Sequence, residues 1–140
     1  MFEKLVVAVD KSPESDRAVQ TAIDLARLSH GAIRLVHVRE AQVVTGKGGG
    51  VFELEEPEEV EELFSKELAT AEEAGVPVTC ELRHAVIGKA AVEIAAAADD
   101  YGADVIVMGC RGRSALTSVI LGSNTYKVLH LTNHPVLVVR

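Results

Sequence analysis

Gly109-Cys110-Arg111-Gly112 is followed, after nine more residues, by Gly122-Ser123. Gly109 and Gly112 would let a backbone approach a ligand without a Cβ in the way. Successive peptide N–H groups in such a turn can form an anion-binding nest. Gly122-Ser123 opens a predicted helix, and a helix amino end offers unpaired N–H groups and positive dipole potential. The hydroxyls of Ser123 and Thr125 can add donors, and Arg111, Arg113 and Lys127 add local positive charge. This is chemistry suited to a chain of phosphates. Asp10 is the second group of interest, because it directly follows a predicted strand. A carboxylate there can accept from a ribose or an adenine amino group, or hold a divalent metal on the phosphates. Each motif has a plainer alternative. Glycines can mark turns alone, and Asp10 can serve the backbone of the next turn while Ser12 caps a helix.

The elements that must position these groups alternate along the chain. Leu5–Val9 is a continuously apolar, β-branched run that suits a strand buried on both faces. Ser12-Pro13 signals a helix start, Glu14 and Asp16 suit its dipole, and His30-Gly31 ends it. Ile33–Val38 reads as the second strand. A long connection through Gly46-Lys47-Gly48-Gly49-Gly50 reads as mobile, a flexible loop able to act as a lid. A helix begins near Pro57, with Val60, Leu63, Phe64, Leu68 and Ala71 as its apolar stripe, and Gly75 stops it. Val78–Leu82 is a shorter, more polar strand suited to a sheet edge. Gly88–Tyr101 reads as an Ala-rich helix closed by Gly102, and Asp104–Met108 as a buried strand. A helix over about 123–131 and a last strand, Val136–Val139, complete the order. Strands alternating with helices imply right-handed parallel crossovers, with helices on both faces of one sheet. In such a sheet, ligands bind beyond the carboxyl ends of the strands where the strand order reverses.

Composition bounds the reading. The 140 residues fit one domain, 1–140, and the 48% apolar and 25% charged content argue against disorder. The net charge of −7 disfavours nucleic acid and anionic membranes, which need a basic footprint, but not a small anion that responds to the local field. Neither cysteine, Cys80 or Cys110, sits in a CxxC or zinc-spaced cluster. The apolar runs are too short to cross a bilayer, and Met1 leads straight into a strand. A cytoplasmic location with no membrane insertion is the expectation.

The spacing G-x-x-G-x9-G-[S/T], matched at Gly109, Gly112, Gly122 and Ser123, resembles the nucleotide motif of ATP-binding universal stress proteins. The opening LVVAVDKSPES, the segment IRLVHV and the closing HPVLVVR are similar to that family too, so the resemblance spans every predicted element. It implies a single three-layer, Rossmann-like α/β domain with a five-stranded parallel sheet of order 3-2-1-4-5. The first and fourth strands would then lie side by side, with Asp10 and Gly109 facing one crevice. It implies that Ala8, Asp10, Val38 and Met108 border the adenine and ribose. Gly109, Arg111, Gly112, Gly122, Ser123 and the backbone of Asn124 would surround the phosphates, with Arg113 adding charge. Mg2+ would arrive with the nucleotide, and ADP or AMP could replace ATP. It further implies a homodimer paired through Val136–Val139. Three positions depart from the family pattern: Cys110 stands where a small hydroxyl residue is common, Ala115 where glycine is, and Asn124 where valine is.

Other features carry less. The 46–50 glycines lack P-loop spacing. Glu53, Glu55, Glu56, Glu58, Glu59, Glu61 and Glu62 read as a solvated acidic helix start rather than a metal site. His37 reads as a packed or hydrogen-bonded strand residue rather than a base, and His84, His130 and His134 have no partner motif. Cys110 beside Arg111 is a candidate redox sensor without a partner thiol. With no triad, P-loop lysine or assigned base, the expected function is an ATP-binding regulatory protein, not an enzyme, acting on an unknown protein partner. Slow ATP hydrolysis is left open. The rivals are a dimeric interaction module without nucleotide and an adenylylating enzyme.

Overall fold

The computed structural model describes residues 1–111 and 121–140. Along them run β1 (Lys4–Ala8), α1 (Pro13–Ser29), β2 (Ala32–Val44), β3 (Gly50–Glu53), α2 (Pro57–Glu73), β4 (Val78–Val86), α3 (Ala90–Tyr101), β5 (Val105–Gly109), α4 (Ser123–Leu131) and β6 (Val136–Val139). The five expected strands are parallel neighbours in the order β4-β2-β1-β5-β6. This is the expected 3-2-1-4-5 arrangement, to which a sixth strand is added.

That sixth strand corrects the reading of the glycine-rich connection. β2 runs on to Val44 and turns back into β3, antiparallel, with Val43 opposite Val51 and Ala41 opposite Glu53. Gly46 and Gly48 take left-handed φ of 104° and 77°, and a Cβ on Gly49 would collide with the carbonyl oxygen of Val44. The glycines therefore shape a tight hairpin turn rather than a loose loop. Ala41 also pairs with Val86 of β4, so β3 occupies the opposite edge of β2, past the end of β1.

Side chains alternate across the pleat into two cores. Leu5 and Val7 of β1, with Val9 just beyond it, join Val105, Val107, Ile33 and Leu35 against α1 and α2. Val6, Ile106, Met108 and Val36 pack against α3 and α4. Ser12 caps α1 by accepting from the Ser15 amide at 3.1 Å, with Pro13 in the first turn. His30, not Gly31, takes the left-handed cap position at φ 56°; Gly31 is needed because a Cβ there would meet the Phe2 carbonyl at 2.8 Å. At the start of the sheet, Asp104 Oδ2 accepts from the amides of Glu3 and Lys4 at 2.8 and 2.9 Å. Those two backbone bonds hold the Asp104 carboxyl below the usual carboxylate range.

Two packing details carry stability consequences. The apolar stripe of α2 contains Glu67, only 2% exposed, facing Asp16 of α1. Burial, then a hydrogen bond to Asp16, pushes the Glu67 carboxyl up to about 7, while Lys66, 2.9 Å from Asp16, partly opposes the shift. The folded chain thus holds a proton that the unfolded chain releases near its ordinary value of 4.5. The resulting stability is fully present below pH 4.5 and is lost as pH rises through about 7. Glu67→Gln keeps a donor toward Asp16 without the charge. It is expected to stabilise the fold by about 1–2 kcal/mol at pH 8 and to be near neutral at pH 5, as read by urea denaturation at both values. The second detail is Gly109, where a Cβ would lie 2.7 Å from Glu14 Cβ and 2.9 Å from its backbone carbon. Gly109→Ala is expected to cost about 1–3 kcal/mol by overpacking, measured in the same way.

Candidate functional site

A cavity of about 400 Å³ opens at the carboxyl ends of β1, β2 and β5, within the size range of small-ligand sites. Ten of the expected site residues reach it. Ala8, Asp10, Val38 and Met108 line it from the strand ends, and Gly109, Arg111, Gly122, Ser123, Asn124 and Thr125 from the segment leading into α4. Gly112 and Arg113 lie outside the described residues.

Asp10 is held in one pose. Its amide accepts no freedom from the turn: it donates to Ser15 Oγ at 2.9 Å, while its Oδ1 accepts from the Ser12 amide at 2.8 Å. So Asp10 serves the backbone, as the plainer alternative had it. Its second oxygen has no protein donor among the described residues.

The backbone of β2 supplies a further pair of groups. Peptides of alternate residues point to alternate edges of a strand. On the β1 edge, the Val36 carbonyl accepts from the Val9 amide at 2.9 Å, and the Glu40 carbonyl accepts from the Leu54 amide at 3.1 Å. Val38 lies between them, where β1 has ended and β3 has not begun. The alternation therefore turns its N–H and C=O into the gap, one donor beside one acceptor.

On the α4 side, Thr125 is buried and donates to the Gly109 carbonyl at 2.8 Å. Its single hydroxyl hydrogen is thereby used within the protein, so the hydroxyl has no donor left for a ligand in this pose, though Thr125 still lines the cavity. Gly109 makes room for α1 as well as lining the cavity. Cys110 is 4% exposed; its amide donates to the Val139 carbonyl at 2.7 Å and its carbonyl accepts from the Gly122 amide at 2.6 Å. Burial of the thiol argues against the redox-sensor reading, which needs an accessible sulfur. Arg111 is different: its Nε is buried with no hydrogen-bond partner among the described residues. A buried guanidinium N–H without an acceptor is costly, so an acceptor from beyond the described residues is called for. Gly122 leads into Ser123 at the amino end of α4, with no side chain capping the helix.

Sequence reasoning missed one wall. Glu40, Ile87 and Gly88 also line the cavity, the Glu40 carboxylate accepting from the Gly88 amide at 2.6 Å; Lys127, already expected to add positive charge, lines it too and donates from Nζ to the Gly88 carbonyl at 3.1 Å. The rule that ligands sit beyond strand ends applies to β4 as much as to β1 and β5, and Gly88 follows β4 directly. Glu55 also departs from the solvated face expected of it: it is 5% exposed and bonded to His37. Among the described residues no group of three or more His, Cys, Asp or Glu could hold a metal ion by itself, and no helix is long and apolar enough to cross a membrane.

Comparisons agree with this architecture. The model of the universal stress protein family matches residues 1–140. Universal stress protein YxiE of Bacillus subtilis is 36% identical, with both chains covered in full. A universal stress protein from Archaeoglobus fulgidus superposes with a TM-score of 0.75 at 29% identity, covering all of both chains. A structure of the universal stress protein of that organism in complex with dAMP superposes at 0.70 and 27% identity, again over the whole of both. The chain belongs to the universal stress protein family.

Proposed function

We propose that the cavity binds an adenine nucleotide, ATP foremost with ADP or AMP as alternatives, and that the protein is a nucleotide-responsive regulator rather than an enzyme. The observation that carries this reading is one cavity lined by three groups that have no hydrogen-bond partner among the described residues. These are the Val38 peptide, the second Asp10 oxygen and Arg111 Nε. Adenine presents an acceptor, N1, beside a donor, its amino group, which complements one N–H beside one C=O. Guanine presents the opposite order there. Asp10 suits a ribose hydroxyl. Arg111 and the uncapped start of α4 suit phosphate oxygens. The dAMP held by the Archaeoglobus relative supports the same ligand class.

Mg2+ would come with the phosphates, and Asp10 is the carboxylate placed to share it. The proposed mechanism is a population shift in which nucleotide biases a surface read by a protein partner. The proposed assembly is a homodimer through β6. β6 pairs only with β5 among the described residues, and Leu137 on it is 37% exposed, so its outer edge asks for a partner.

The test is calorimetric titration of nucleotide-stripped protein with Mg-ATP and with adenosine. Wild type is expected to bind both. Arg111→Gln, shown to be folded, is expected to weaken ATP about tenfold and leave adenosine unchanged. An absence of saturable binding by wild type across the millimolar range would retire the nucleotide reading in favour of a dimeric interaction module.

A further inference from the structure

His37 and Glu55 are a buried titratable pair that the nucleotide reading leaves unused. His37 is 4% exposed and Glu55 5%. His37 Nδ1 lies 2.7 Å from the Val9 carbonyl, and Nε2 lies 2.6 Å from Glu55 Oε2. A carbonyl only accepts, so Nδ1 carries a hydrogen. The short contact on the other side requires one more proton, on Nε2 or on the carboxyl. Either way the pair is neutral as a whole and both ring nitrogens are satisfied, which is what burial demands.

The two ends of this bridge matter. Val9 immediately precedes Asp10, and its amide makes the last β1–β2 rung at Val36. Glu55 immediately follows the Leu54 amide that bonds Glu40 and closes the Val38 gap from the other side. Arg39 reinforces the same point, donating to the Glu55 carbonyl from Nε at 3.0 Å and from its terminal nitrogen at 2.6 Å. Phe64 of α2 packs edge-on against the imidazole, with ring centroids 6.3 Å apart. The β2–β3 arm is thus fastened to the Asp10 turn through one side chain.

We propose that His37 is a positioning residue for the nucleotide crevice, setting the width of the Val38 gap and the pose of Asp10 by tying Val9 to Glu55. The proposal rests on the nucleotide reading and deepens it. His37 touches no phosphate-side group, so it acts on the base and ribose alone.

Three variants separate the parts. Glu55→Gln keeps the bridge, because its amide N–H can donate to a bare Nε2. Glu55→Leu removes it. His37→Asn keeps the donor toward Val9 and loses the reach to Glu55. Each is checked for folding by circular dichroism, then titrated with Mg-ATP and adenosine, and amide hydrogen exchange is followed over residues 50–55. Glu55→Leu and His37→Asn are expected to weaken both ligands equally, by about tenfold, and to lose protection in the arm. Glu55→Gln is expected to retain wild-type affinity and protection. A folded His37→Asn or Glu55→Leu that binds like wild type overturns the proposal. So does a loss from Glu55→Gln as large as that from Glu55→Leu, or a loss confined to ATP. If wild type binds neither ligand, the nucleotide reading itself falls; that result is distinct from wild-type binding that the variants leave unchanged.

Discussion

The Val9 amide donates to the Val36 carbonyl, and past that rung β1 has no strand left to offer β2. The chain turns into α1 on one face of the sheet, while β5, on the other side of β1, leads toward α4 on the opposite face. Connections from adjacent parallel strands that depart to opposite faces cannot fill the space between them. The cavity is a consequence of that divergence and needs no special residue to open it. What the residues decide is which groups look into it.

Those groups are best identified by subtraction. Nearly every polar atom at the strand ends is already engaged: the Asp10 amide by Ser15, one Asp10 oxygen by Ser12, the Gly109 carbonyl by Thr125, and both peptide groups of Gly88 by Glu40 and Lys127. Buried polar groups left over after such accounting carry an energetic debt that water or a ligand must settle. Among the described residues the groups left over include one peptide, one carboxylate oxygen and one guanidinium N–H. A mixed remainder of this kind selects a ligand with a base, a sugar and an anion more narrowly than any single motif does.

Much of this was legible in the sequence. Continuous β-branched runs gave the buried strands, Ser12-Pro13 and Gly102 marked helix ends, and the glycine spacing singled out the segment between β5 and α4. The errors share a cause. Glycine was read as looseness, but the 46–50 glycines build a turn between strands that lack a strong apolar alternation, and Gly109 admits α1 as well as lining the cavity. Thr125 and Glu55 were read from type alone, whereas their roles come from partners 16 and 18 residues away. Glu67 sits at a helical position of an otherwise apolar stripe, yet its charge hid it from a reading of hydrophobic period. Local patterns name elements; pairings between distant residues assign the side chains.

The Asp104 carboxylate, which receives the amides of Glu3 and Lys4, is separated from them by about a hundred residues. β1 lies in the middle of the sheet, yet its second neighbour arrives only when β5, about a hundred residues later, has left the ribosome. Until then a strand that is apolar from Leu5 to Ala8 has one unsatisfied edge, the kind that recruits foreign strands. The nascent chain therefore exposes one edge of Leu5, Val6 and Val7 until β5 emerges. A message truncated before residue 104 would yield a product whose hazard is self-association rather than mere loss of activity.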